Sequence, residues 1–118
     1  MKIHPYIYVG CIEHTKKIIK PEIALDHILD ILNNVNGTTK KEIIGQSRKR
    51  HLVEARQICF YILRKHYDLT FKRIGELFDN RDHSTILHGC ERHRDDYKYC
   101  YEYSKKFDYV INQHSALW

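Results

Sequence analysis

The chain has 118 residues, the length of one ordinary domain and too short for a catalytic module plus a separate recognition module. Its hydrophobic content of 42% and aromatic content of 12% exclude a disordered tail. No stretch approaches the roughly 18 apolar residues that a membrane span requires. We therefore expect a soluble globular protein with one task and no membrane contact.

The net charge of +5 is concentrated in the middle of the chain. Residues 40–94 contain thirteen Lys and Arg against seven Asp and Glu, whereas residues 1–39 are balanced and residues 95–118 have one excess negative charge. A localised basic region favours an anionic partner, and nucleic acid is the first to consider.

The cysteines and the chain start bear on location and domain organisation. Four cysteines lack the short paired spacing of a disulfide scaffold or zinc knuckle, and no secretion signal precedes them, so we expect a cytoplasmic protein. Residues 1–20 are interpreted as an N-terminal arm, and residues 21–118 as one domain. The aromatic segment 5–9 of the arm is a candidate contact for a protein partner.

The first two predicted helices follow the arm. Pro21 suits a first helical turn, and Asn36-Gly37 suits its end. Thr39 with Glu42 three residues later predicts a capping box for a short helix that closes near Gly45. Apolar residues recur at helical spacing in the first helix at Ile23, Leu25, Ile28, Leu29, Leu32 and Val35.

Residues 46–51 are polar and carry three adjacent cations, Arg48, Lys49 and Arg50, which predicts a basic loop. A long helix is expected from about Leu52 to His66. Its predicted buried stripe is Val53, Ala55, Ile58, Cys59, Ile62 and Leu63. The side chains of Arg56, Gln57 and Arg64 are expected to project away from this buried stripe.

Three further elements complete the prediction. Thr70 is a plausible cap for a short helix through Phe78, and residues 79–81 break it before a helix that begins at Asp82. The residues predicted to face inward from that helix are Ile86, Leu87 and Cys90. In the tail, Tyr99, Tyr103, Phe107, Val110 and Ile111 fall on one helical side, although alternating tyrosines from 97 to 103 would equally fit a strand.

Residues from about 70 to 95 have the layout of a helix-turn-helix. Gly75 would remove a side chain where two helices cross closely, and Asn80 tolerates the left-handed backbone of a tight turn. The short polar side chains of Asp82, His83, Ser84 and Thr85 would begin the second helix, the end that enters the major groove of DNA.

Residues 81–88, Arg-Asp-His-Ser-Thr-Ile-Leu-His, resemble the signature of the DNA-binding C-terminal domain of the bacterial replication initiator family DnaA. Ser47-Arg48-Lys49-Arg50 and the helix containing residues 54–58 resemble that family's basic loop and following helix. The resemblance implies an all-α, Trp-repressor-like helical bundle that binds double-stranded DNA. It also implies a preference for initiator boxes of the TTATNCACA kind.

Carried over by position, the resemblance assigns a role to each site residue. It implies that Arg50 enters the minor groove from the basic loop and that residues 82–85 read the adjoining major groove. A guanidinium is attracted to a narrow A·T-rich minor groove, which agrees with this assignment. The resemblance also implies that a set of polar and cationic residues lies near the phosphates. The set is Arg48, Lys49, Arg56, Gln57, Arg64, Lys72, Arg81 and His88.

The chain also departs from the family. Asp79-Asn80 replaces a usual glycine pair, Lys72 stands where proline is common, and Gly89 inside the recognition helix has no explanation in the sequence. These 118 residues contain no Gly-x-x-x-x-Gly-Lys-Ser/Thr motif. We therefore expect neither ATPase activity nor origin melting from this chain alone, and no cofactor.

Two roles remain open beside box recognition in replication. A helix-turn-helix module of this kind also suits a transcription regulator of a phage or mobile element with a different DNA site. Alternatively, it can act as a protein-interaction module through the aromatic arm or the tyrosine-rich tail.

A metal site or an enzyme is the contrasting interpretation. The densest cluster is His88, Cys90 and His93, but His88 and Cys90 point about 200° apart on one helix. A hydrolase using His83, His88, His93, Asp95 and Asp96 would spread its groups along about 20 Å of helix. We therefore expect no metal and no catalysis, and interpret Cys59 and Cys90 as core residues.

Overall fold

The computed structural model describes residues 19–118, and these residues form six α-helices and a final 3₁₀ turn, Ser115–Leu117, with no strand in that range. The predicted all-α fold is confirmed. Almost all of the predicted arm lies outside the described residues. Within 19–118, no helix is long and apolar enough to cross a membrane. The helices are α1 (Pro21–Asn36), α2 (Lys40–Ile44), α3 (Arg50–His66), α4 (Phe71–Leu77), α5 (His83–Tyr99) and α6 (Tyr101–His114).

The ends of α1 and α2 follow the predicted signals. α1 starts at Pro21 and stops at Gly37, whose φ of 71° lies in the left-handed region. The capping box before α2 is complete, because the Thr39 hydroxyl accepts from the Glu42 N–H and the Glu42 carboxylate accepts from the Thr39 N–H. Local chemistry therefore fixes both boundaries.

The buried face of α1 differs from the predicted one. Ile23 and Val35 are 56% and 39% exposed, and the small Ala24 and Ile31 are buried instead. α1 packs on both α3 and α6, so its buried surface is wider than a single stripe and is rotated away from these two residues.

α3 is the central helix and packs against each of the other five. It begins at Arg50, two residues before the predicted start, so the basic loop is shorter than expected. Burial on so many sides changes its apolar stripe: Val53 is 36% exposed, whereas Phe60 is buried. The prediction that Arg56 and Gln57 project away from the core is also wrong, since they are 7% and 5% exposed.

Gly89 has a packing explanation that the sequence does not supply. A Cβ at this position would lie 2.6 Å from a ring carbon of Phe60, where α5 crosses α3. The missing side chain lets the two helices approach closely and leaves room for a buried aromatic ring. This contact offsets the low helix propensity of glycine.

The tail is helical rather than extended, because α6 packs against α1, α3 and α5. Tyr103, Phe107 and Val110 are buried as predicted. Tyr99 was predicted to face inward but is 76% exposed, because α5 ends at this residue and the chain turns at Cys100. The core residues Cys59 and Cys90 are buried as interpreted.

A buried polar chain joins the ends of the described region. The Tyr67 hydroxyl accepts from the Trp118 indole N–H at 3.0 Å and lies 2.5 Å from His114 Nε2. His114 Nδ1 lies 2.8 Å from His27 Nδ1, so one ring must donate and the other must accept. Burial and the neighbouring rings of His27 and His66 lower the pKa of His114 to about 4.

Candidate nucleic-acid interface

The turn between α4 and α5 has the backbone that a tight helix-turn-helix requires. Asp79 and Asn80 have φ of 61° and 56°, so both occupy the left-handed region that Asp and Asn tolerate better than most residues. The N–H groups of Phe78 and Arg81 both donate to the Gly75 carbonyl, at 3.0 and 2.8 Å. The turn is therefore tied to the last turn of α4.

Gly75 is required by the turn itself. A Cβ at this position would lie 2.1 Å from the carbonyl oxygen of Arg81. The expectation that Gly75 serves the crossing of two helices is therefore corrected: the close neighbour is the backbone that follows the turn. No side chain fits while the Arg81 N–H donates to the Gly75 carbonyl.

The N-terminus of α5 presents short polar side chains, as predicted. Asp82 caps the helix, its carboxylate accepting from the Ser84 N–H and from the Ser84 hydroxyl, and these bonds lower the pKa of the carboxyl group. The side chains of His83 and Asp82 are 70% and 65% exposed, and Thr85 is exposed as well. Asp82 and Ser84 are thus fixed by the cap, and Asp82, His83 and Thr85 are open to a ligand.

Arg56 is committed to the protein's own backbone. Its guanidinium donates to the carbonyls of Ile43 at 2.5 Å, Ser47 at 2.5 Å and Glu42 at 3.1 Å. These carbonyls belong to the end of α2 and to residues 45–49 between α2 and α3, which we call the basic segment. Without Arg56 they would remain unsatisfied acceptors. Arg56 therefore holds the segment that carries Arg48 against α3.

Arg81 makes a second attachment to the same region. Its guanidinium donates to the carbonyls of Ile44 at 3.2 Å and Gly45 at 2.6 Å. Burial lowers the pKa of both Arg56 and Arg81, and the charge of Arg81 lowers that of Arg56 further. Arg81 links the helix-turn-helix directly to the end of α2. We refer to Arg56 and Arg81 as the inner arginines.

An open groove of about 830 Å³ lies between the basic segment and α5. Arg48 and Arg50 line one side, and we call them the rim arginines; Thr85 and His88 line the other. A smaller depression beside it contains Lys72 and His83. Residues 80–82 line both, so the basic segment and the N-terminal end of α5 form one continuous surface.

The rim arginines point towards solvent. The side chain of Arg50 is 84% exposed, and its Nε donates to Glu54 Oε2 at 3.2 Å, one helical turn later. Arg48 and Lys49 are exposed as well. Arg50 lines the open groove, where an exposed guanidinium can meet phosphate or base acceptors.

The other predicted phosphate contacts have different environments. Gln57 is buried and donates to Asp96 at 3.0 Å, which joins α3 to α5. Arg64 donates to the Leu69 carbonyl at 3.0 Å and stacks on Phe71, with 4.3 Å from its guanidinium carbon to the ring centroid. The side chain of His88 is 74% exposed and lines the groove.

The sequence interpretation missed Arg92. It lies one turn beyond His88 on α5, lines the groove, and has a side chain that is 70% exposed. Its Nε donates to Asp96 at 3.3 Å, the same i to i+4 arrangement that joins Arg50 to Glu54. The signal was available, since residues 85, 88 and 92 repeat at helical spacing on one face.

The groups considered for a metal or a hydrolase are not brought together. His93 is buried, stacks on Tyr61 and shares a hydrogen bond with the Tyr103 hydroxyl at 2.6 Å, whereas His83 and His88 are exposed. Burial lowers the pKa of His93 to about 4. Over residues 19–118, no three His, Cys, Asp or Glu side chains form a group suited to a metal ion.

Comparisons with known proteins agree with this geometry. Residues 25–92 match the family model described as the bacterial dnaA protein helix-turn-helix. The chain is 37% identical over 86 residues to the chromosomal replication initiator protein DnaA of Picosynechococcus, covering 69% of this chain and 19% of that protein. It is 33% identical over 105 residues to the DnaA of Lachnoclostridium phytofermentans, covering 86% of this chain and 23% of that protein.

A third relative, the DnaA of Corynebacterium jeikeium, is 34% identical over 89 residues, which is 75% of this chain and 15% of that protein. The chain thus spans less than a quarter of the length of each of these three relatives. No solved structure matches the chain significantly.

Proposed function

Because the chain belongs to the bacterial DnaA helix-turn-helix family, a family of DNA-binding domains, we propose that it recognises double-stranded DNA at initiator-box-like sites. The task we propose is binding without catalysis, in replication or its regulation, at the chromosome in the cytoplasm. The observation that carries the proposal is the groove, which has the rim arginines on one side and the exposed N-terminal face of α5 on the other.

The two sides of the groove suit different parts of a duplex. α5 is long enough to lie in the major groove with Asp82, His83, Ser84 and Thr85 at the base edges. The rim arginines then reach across one phosphate backbone, and Arg50 enters the adjoining minor groove, where narrow A·T-rich steps attract a guanidinium. In this arrangement one molecule reads two grooves and needs no second copy.

The remaining cations have supporting roles in the proposal. Lys49, Lys72, Arg64, His88 and Arg92 are exposed on this module and are placed near phosphates, where they release counterions without reading sequence. The inner arginines and Gln57 hold the two sides of the groove together through the bonds described above. Their main contribution is therefore the geometry of the site.

Selection of duplexes from a random pool, followed by salt titrations, tests the proposal. The recovered site should bind more tightly than a scrambled duplex of the same composition. Arg50→Ala should reduce that preference by about 1–3 kcal/mol, chiefly at A·T pairs. Lys40→Ala is the matched control, because Lys40 is an exposed cation on α2 that pairs with Asp26 outside the groove.

The result also separates the roles. Equal binding of recovered and scrambled duplexes would refute specific recognition. A recovered site unlike the TTATNCACA box, with genomic footprints confined to promoters, would replace the replication role by transcriptional regulation. A motif with two half-sites would show that two copies bind together.

A further inference from the structure

Glu54 is an acidic side chain on a groove whose proposed ligand is a polyanion. It lies on α3 one turn after Arg50 and lines the same groove. Its side chain is only 15% exposed, although the neighbouring Arg50 side chain is 84% exposed. A buried carboxylate beside a phosphate-binding surface opposes binding by its charge, so its presence requires a compensating role.

Both carboxylate oxygens of Glu54 have cationic partners from different parts of the chain. Oε2 accepts from Arg50 Nε at 3.2 Å. Oε1 accepts at 3.2 Å from Nζ of Lys106, which lies on α6 and is 22% exposed. α6 begins at Tyr101, beyond the residues that match the family model. The contact therefore connects the C-terminal helix, through Glu54, to Arg50 at the start of α3.

Within residues 19–118, the bond at Nε is the only hydrogen bond of the Arg50 guanidinium, so its outer nitrogens are open to a ligand. Arginine has five N–H donors, and Nε carries only one of them. An exposed arginine side chain normally samples many rotamers and loses conformational freedom when it is fixed. Anchoring the inner nitrogen to a partly buried carboxylate restricts the side chain before DNA arrives, which lowers the entropic cost of binding.

We propose that Glu54 is a positioning residue for Arg50, and that Lys106 of α6 holds Glu54 in place and neutralises its second oxygen. The inference rests on the proposed DNA-binding function and adds a role for the C-terminal helix in it. Glu54 touches no base in this arrangement. It determines where Arg50 points, and thereby how strongly the protein distinguishes its site from other DNA.

A positioning role and a simple electrostatic role predict different ratios of binding to selected and scrambled DNA for Glu54→Gln. Loss of a negative charge alone would strengthen binding to every duplex and leave the ratio between selected and scrambled duplexes unchanged. Loss of positioning lowers that ratio, because Arg50 contributes to the selected site above all. We expect the ratio of the two dissociation constants to fall three- to tenfold, with scrambled DNA bound at least as tightly as before.

The same measurement in an Arg50→Ala background tests whether Glu54 changes the ratio of dissociation constants through Arg50. If Glu54 acts through Arg50, Glu54→Gln leaves the ratio of the double variant equal to that of Arg50→Ala alone. Lys106→Met should lower the ratio of the wild-type background two- to threefold and should likewise have no effect without Arg50. Thermal unfolding of each variant shows that it is folded under the binding conditions.

Asp26→Asn is the charge-matched control, because Asp26 is an ion-paired carboxylate on α1 that does not line the groove. An unchanged ratio for Glu54→Gln, or a change that persists without Arg50, overturns the positioning role. If the wild-type protein itself binds selected and scrambled DNA equally, the proposed function fails instead, so the two failures are distinguishable.

Discussion

The inner arginines and the rim arginines line the same groove, but the inner pair bonds to the protein backbone and the rim pair is exposed to solvent. Arg56 and Arg81 donate to five carbonyls of residues 42–47; Arg56 is buried and Arg81 is partly buried. Arg48, in the basic segment, and Arg50, at the start of α3, are exposed and line the open groove. A high count of cations in a segment therefore does not equal a count of contacts to a ligand.

The difference has a physical cause. The end of α2 and the following segment leave carbonyls without helical partners, and a buried arginine satisfies several of them at once. Once these acceptors are satisfied, the basic segment has a fixed backbone conformation. The rim arginines are then not needed as donors to these carbonyls and can point into the solvent. The inner arginines therefore stabilise the fold, whereas the rim arginines remain available to a ligand.

The largest effect is expected at the turn that places Arg81. Gly75→Ala should lower the free energy of unfolding by about 3 kcal/mol, because the new Cβ meets backbone that a rotamer change cannot move. Gly37→Ala is the control: it has φ of 71° but no atom within 4 Å, so about 1 kcal/mol of strain is expected. Urea unfolding compares them, and equal losses would contradict the close approach at Gly75.

The different roles of the inner and the rim arginines can be tested by substituting one arginine of each set. Arg56→Ala should cost about 2 kcal/mol of stability, because it strands the carbonyls of Glu42, Ile43 and Ser47. Arg48→Ala removes the same charge from an exposed position and should change stability by less than about 0.5 kcal/mol while weakening DNA binding. If both variants lowered stability equally, the separation of roles would be wrong.

Lowering the pH should reduce the free energy of unfolding of the helical bundle without changing any arginine of the groove. The pKa values of His93 and His114 are about 4 in the folded protein, against about 6.5 for an unperturbed histidine. Between pH 6.5 and 4 the unfolded chain binds protons that the folded chain does not, so stability falls as the pH falls. Each histidine contributes at most about 1.4 kcal/mol per pH unit in this window.

The measurement is the slope of the free energy of unfolding against pH between 4.5 and 6.5. His114→Gln and His93→Gln should each reduce the slope by up to about 1.4 kcal/mol per pH unit, which corresponds to one proton per molecule. Wild-type stability that stays constant over this window would contradict the buried, neutral state of both rings.

Much of the fold follows from local signals. Pro21, the capping box of Thr39 and Glu42, Thr70 and Asp82 mark helix starts, and all of them have the predicted role in the structure. The resemblance over residues 47–88 correctly identified the family. These signals are readable because each depends on atoms within a few residues of one another.

The sequence by itself determined most of the helix starts, a basic segment before a helix-turn-helix and, through the resemblance, the family to which the chain belongs and its all-α fold. Only the tertiary structure decided that Arg56 and Gln57 are buried, that Tyr99 is exposed, that Gly75 and Gly89 admit close neighbours, and that Glu54 joins Arg50 to Lys106. The reason is that burial and polar pairing depend on which helices meet, and helical periodicity identifies an apolar face without specifying its neighbours.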